Sequence, residues 1–227
     1  VMGDTNTENI KIGNIEPLLA LDRSGIIDFK ARPVTAEDIE LKFLDPRAIG
    51  FHEAGIDTNA DDPMYDNKPW HNSLGNYDDI HGEHFDIAYQ FESGLPQVQI
   101  NFHEDSPYRS SYSTIQDYFA EVMGTLWDEL KGEAIFQRDR NWIIRFAFVM
   151  GTHFAAMPPF HFTDAPDDCE GQKRALAIYC EGIKWLNAAV DMLEGRVESF
   201  LGVSVPMFNH QQFYNLSVDP EPARSSL

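Results

Sequence analysis

At 227 residues the chain has the length of one large domain, and 43% hydrophobic residues, with 16 Phe, 8 Tyr and 4 Trp, give it the means to bury a core. Acidic residues outnumber basic ones 37 to 17, for a formal charge of -20. Such a surface repels phosphate backbones and anionic lipid and argues against an electrostatic grip on nucleic acid. A bound dication would offset that repulsion locally, which leaves phosphoester chemistry open.

The two halves differ in character. Residues 1–112 are rich in Asp, Asn, Gly and Pro and read as long connections between short elements. Within them TAEDIELKFL predicts a short helix, with Thr35 as N-cap and Asp38 three residues on. The stretch HFDIAYQFESGLPQVQINF alternates through Phe85, Ile87, Tyr89 and Phe91, then Val98, Ile100 and Phe102. With ESGLPQ between the runs, this predicts an antiparallel hairpin of residues 85–91 and 97–102.

From 113 onward the period turns helical. Ser113 and Gln116 read as a capping box ahead of a stripe of Ile115, Phe119, Val122, Met123, Leu126, Trp127 and Leu130, and Gly132 ends that helix. RNWIIRFAFVMGTHFAAM is apolar nearly all round and predicts a buried central helix over about 141–157, stopped by Pro158 and Pro159. Asp167 or Asp168 caps a further helical region to about Leu201, with Gly182 and Gly195 as points of interruption. The tail, 204–227, has no periodicity. The fold class expected is mainly α: a single domain over 1–227, with residues 113–203 forming a helical bundle around the central helix and an irregular, hairpin-bearing half before it.

Cys169 and Cys180 do not make a disulfide framework; on one helix they would stand about 16 Å apart, too far to bridge. No apolar run reaches the roughly 18 residues of a membrane span. The start at Val1 reads as a trimmed, mature or partial chain, and the sequon Asn215-Leu216-Ser217 is compatible with secretion. Composition assigns no oligomeric state.

Histidines and carboxylates carry the chemistry. YDDIHGEHFD sets His81 and His84 among Asp78, Asp79, Glu83 and Asp86, a donor set that suits zinc or another divalent cation, although an acidic solvated loop has the same composition. His71 and His103 lie in the same half. No HExxH, phosphate loop, calcium loop or GxSxG elbow occurs. THFAAMPPFHF places His153 on an apolar helix and His161 just beyond the double proline. A buried neutral histidine needs partners for its nitrogens, and either a metal or a protein hydrogen bond meets that need.

ADDPMYDN followed by GEHFD, and then THFAAMPPFHF at the end of a buried helix, resembles the zinc-dependent phospholipases C and the related zinc-dependent single-strand nucleases. The resemblance spans about residues 60–161 and implies a mostly helical protein with Asp61, His84, His153 and His161 as metal ligands. The chain departs from that family at Met157, where the family has a metal-bridging Asp. It also lacks the family's amino-terminal Trp, and after His161 it has only His210 in place of a His-x-x-x-Glu pair. With these departures the resemblance implies one ion or none rather than three.

Three functions follow as expectations. The first is a metal-dependent hydrolase of small-molecule or lipid phosphoesters, with metal-bound water as nucleophile and Glu83 or Asp86 taking its proton. The second is a non-catalytic secreted or assembly-forming protein that works by binding. The third is a mononuclear iron enzyme built on His84-x-Asp86, with His103 or His153 as third ligand.

Overall fold

The computed structural model describes residues 9–24, 34–44, 63–130, 141–162 and 169–207, and these are mainly α-helical. Strand β1 (Ile10–Ile12) leads into helix α1 (Glu16–Ser24) and pairs antiparallel with β2 (Leu41–Phe43). A 3-10 segment (Pro63–Asn67) and two short helices, α2 (Pro69–Ser73) and α3 (Tyr77–His81), precede the hairpin β3 (Phe85–Glu92) and β4 (Leu95–Phe102). Then come α4 (Arg109–Leu130), α5 (Trp142–Ala156), the single turn α6 (Pro158–His161) and α7 (Cys169–Leu193). A last short pair, β5 (Ser199–Phe200) and β6 (Val203–Ser204), follows. Each described sheet is two antiparallel strands.

The predicted hairpin is present and longer than its sequence pattern. Phe85 faces Phe102 and Glu92 faces Leu95, so the loop is Ser93-Gly94 alone. Both loop residues take positive φ (53° and 81°), the backbone that a tight two-residue hairpin connection requires. Three other expectations need correction. Thr35 and Asp38 do exchange hydrogen bonds, Asp38 N–H to Thr35 Oγ1 at 3.2 Å and Thr35 N–H to Asp38 Oδ2 at 2.9 Å. They close a turn rather than a helix, because Glu40 swings to a φ of 50° and delivers the chain into β2. Gln116 does not cap α4, which starts four residues before Ser113; its Nε2 donates across to the Ser73 carbonyl at 2.7 Å. Helix α7 ends at Leu193, not Leu201: Gly195 takes φ 68°, the Arg196 N–H bonds back to the Asp191 carbonyl, and the β5–β6 hairpin follows. Gly132, Asp167, Asp168 and residues 208–227 lie outside the described residues.

The core gathers on α5. Phe146, Met150 and Phe154 are fully buried, against Ala177, Ile178, Trp185 and Met192 of α7 and Phe119 of α4. The Phe146 ring stands 5.1 Å from that of Phe119 and 6.0 Å from that of Trp185. Apolarity all round α5 overstates its burial, since Phe148 is 53% exposed. The predicted α4 stripe divides too: Phe119 and Met123 go inward while Ile115 and Val122 face out.

Gly182 sits inside α7 without interrupting it, and the reason is close approach. A Cβ there would lie 2.7 Å from the Ala155 backbone nitrogen and 3.1 Å from the Gly151 carbonyl. Gly151 faces α7 in the same way, its Cβ position 2.7 Å from Leu186. Gly182→Ala should gain about 0.5–1 kcal/mol in helix propensity and lose about 1–3 kcal/mol to overpacking against backbone that cannot swing aside. The net outcome expected is a lower urea midpoint, and a higher midpoint would show that the two helices are not in contact here.

Candidate functional site

The site begins with α2. Pro69 opens this one-turn helix with its φ already set, Trp70 lays its ring 4.9 Å from that of Phe119, and His71 turns inward. Gly75 lets the following turn lie on α5, for its Cβ would overlap the Phe154 ring. His153 comes from the last turn of α5, on the side of Met150 and Phe154.

There the two histidines meet. His71 Nε2 and His153 Nδ1 are 3.0 Å apart, with ring centroids at 5.0 Å and both residues buried. Tyr65 sets its ring edge-on to His153 at 4.3 Å, and Lys68 Nζ stands over the Tyr65 ring. Burial holds both imidazoles in the neutral form. His71 is pushed well below the ordinary histidine range by desolvation, then by His153 and Lys68; His153 is pushed down to about 4 by desolvation, then by Lys68. Neutral imidazole is the form that binds metals. A neutral pair shares one proton along the 3.0 Å line. Among the described residues the buried Nε2 of His153 has no hydrogen-bond partner.

Other sequence-derived candidates lie elsewhere. His161, half-buried at the end of α6, has its Nε2 3.2 Å from the Tyr77 hydroxyl and its ring 6.1 Å from that of His81. Burial, then His81 and Arg174, lowers its pKa. His84 packs its ring 5.8 Å from that of Tyr108. Glu83 is ion-paired with Arg174, and Asp86 is hydrogen-bonded to His103 Nε2 at 2.9 Å, both carboxylates being exposed. Asp61 lies outside the described residues. Among the described residues no three His, Cys, Asp or Glu side chains are gathered as a metal-binding group.

A buried polar frame fixes α3 between α4 and α7. Asn72 Nδ2 donates to Asp78 at 2.6 Å, Tyr112 Oη bonds the same carboxylate, and Asn76 Nδ2 donates to the buried Glu181 at 2.9 Å. Lys184 Nζ, largely exposed, neutralises Glu181 at 2.6 Å. The Tyr112 hydroxyl is pushed well up, first by burial and then by Asp78. Such links hold the α2–α3 turn, and with it His71, in one place.

His71 is the site residue that sequence patterns missed. Its signal was the setting KPWHN, a proline-started turn beside a large aromatic, which marks a short buried helix inside a loop-rich half. The denser histidines of YDDIHGEHFD favour His84 in the sequence, and its ring is partly buried against Tyr108. No protein-family model, curated protein or solved structure matches the chain.

Proposed function

We propose that this chain is a metal-dependent hydrolase of phosphoesters whose single divalent ion is held by His71 and His153, in a helical bundle built around α5. The observation that carries the reading is the buried nitrogen pair at 3.0 Å. Two imidazole nitrogens, each about 2.0–2.1 Å from one tetrahedral ion, stand about 3.3–3.4 Å apart, so this pair would open by a few tenths of an ångström and both rings would turn until their lone pairs converge on the ion. A divalent ion supplies Lewis acidity there and lowers the pKa of the attacking water. The chain contributes binding and orientation: neutral imidazoles fixed by the α2 and α5 packing, and the positive Lys68 beside them to draw a phosphoryl oxygen toward a molecule that otherwise repels anions. Glu83 and Asp86 are held by Arg174 and His103, so the reading keeps them out of the proton relay.

Elemental analysis of protein purified without added metal tests this directly. About one ion per chain is expected, lost in His71→Ala and in His153→Ala but kept in His84→Ala, with hydrolysis of a simple aryl phosphate ester following the ion. Metal-free protein whose thermal midpoint ignores chelator would sink the reading. It would favour instead a protein that works by binding, for which the exposed aromatics Tyr89 and Phe91 of the hairpin speak. No described helix is long and apolar enough to cross a membrane.

A further inference from the structure

The hairpin divides its side chains between two faces. Ile87, Tyr89 and Phe91 point one way, opposite Ile100, Val98 and Pro96; Ala88, Gln90 and Glu92 point the other. The polar face satisfies itself, with Gln90 Nε2 donating to Gln97 Oε1 at 2.9 Å and Gln97 Nε2 to Glu92 Oε2 at 2.7 Å. Among the described residues the apolar face is covered only at its inner end, where Phe85, Ile87 and Ile100 join the core. Farther out, Tyr89 is 61% and Phe91 79% exposed.

Among the described residues the outer edge of β3 is open as well, since β3 pairs with β4 alone. The tight turn closes on the pair Glu92–Leu95, and the His103 N–H donates to the His84 carbonyl at 2.9 Å. Even-numbered residues of β3 therefore bond to β4, while Ile87, Tyr89 and Phe91 turn their N–H and C=O groups away from it. No lysine and no proline blunts β3.

We propose that two copies of this chain associate through β3, edge to edge and antiparallel about a two-fold axis, to make a four-stranded sheet. Three observations select a second copy as the occupant. Charged residues make up 24% of the chain, yet from Ile87 to Phe102 only Glu92 is charged. Two molecules of charge -20 meet only where their contact centre is uncharged, and interface centres are depleted in charge and enriched in aromatics. Antiparallel pairing sets the bare outer half of each apolar face beside the covered inner half of the other, so each arm leans on its neighbour's body. The area also fits a small contact: Tyr89, Phe91, Pro96 and Val98 leave on the order of 400 Å² uncovered per copy, of which edge pairing covers the flanks and the neighbour's body the outer part. With the edge backbone added, the contact falls below the roughly 1,200 Å² of a standard interface, in the class of weak, dissociable pairs.

Sedimentation of the full chain across a concentration series tests the contact. A species of twice the 25.8 kDa chain mass is expected. Phe91→Lys puts a charge on the face, and Tyr89→Pro removes an outward N–H without touching the ladder to β4. Each should raise the dimer dissociation constant by about thirty-fold or more, with the thermal midpoint of the monomer unchanged. Gln99→Lys, on the polar face, should leave the dimer intact. A chain that is monomeric at every concentration overturns the proposal, and so does a dimer that survives both edge variants. A monomer that floats with phosphatidylcholine vesicles through the same two residues assigns the face to lipid and overturns it equally.

Discussion

Phe146→Ala is expected to cost about 3–5 kcal/mol, the toll of removing a fully buried aromatic from a site that cannot collapse. The ring is fixed between Phe119 of α4 and Trp185 of α7, so three helices lose contacts at once. For a domain of this size that loss lowers the thermal midpoint by roughly 6–20 °C. Phe148→Ala, two residues on and 53% exposed, makes the internal control and should stay within about 1 kcal/mol of the unmodified chain. Scanning calorimetry of the two variants reads the difference. Equal midpoints would mean that α5 does not carry the core.

The elements most legible in the sequence were those whose burial repeats along the chain. Alternation through Phe85, Ile87, Tyr89 and Phe91 located the hairpin and its apolar face, since every second side chain is forced to one side. The run from Trp142 to Ala156 announced its helix for a similar reason. What stayed hidden depends on contacts between distant residues. Nothing in TAEDIELKFL shows that Glu40 will take a left-handed backbone and convert a capped turn into a strand. Gly182 read as an interruption because its packing partners, Ala155 and Gly151, belong to another helix. His71 escaped because its burial comes from α5, which arrives some eighty residues later, and histidine density along the chain favoured His84 instead.

Acid should destabilise this protein well before its carboxylates titrate, and the His71–His153 pair is the cause. In the unfolded chain each imidazole takes up a proton near pH 6.5. In the folded chain His153 does so only at about 4, and His71 well below its ordinary value, because burial disfavours the charged ring. Between those limits the unfolded state binds protons that the folded state refuses. The stability is therefore fully present above about pH 6.5 and is lost as pH falls toward 4, by about 3 kcal/mol for His153 alone. His161, also shifted downward, adds a loss of the same sign. An opposing effect comes from the formal charge of -20, whose self-repulsion eases as carboxylates protonate. Ordinary carboxylates titrate near 4, so between pH 6.5 and 5 the histidines act almost alone. Urea midpoints measured in that window should fall with acidification, and His153→Gln, which cannot charge, should flatten the decline while starting from a lower stability. If the ion proposed for this pair is bound, protons compete with it and the decline in the unmodified chain steepens; chelator then returns the shallower histidine-only slope. A profile that is flat from pH 6.5 to 5 would show that His71 and His153 are not buried as a neutral pair, and the metal reading would lose its footing with it.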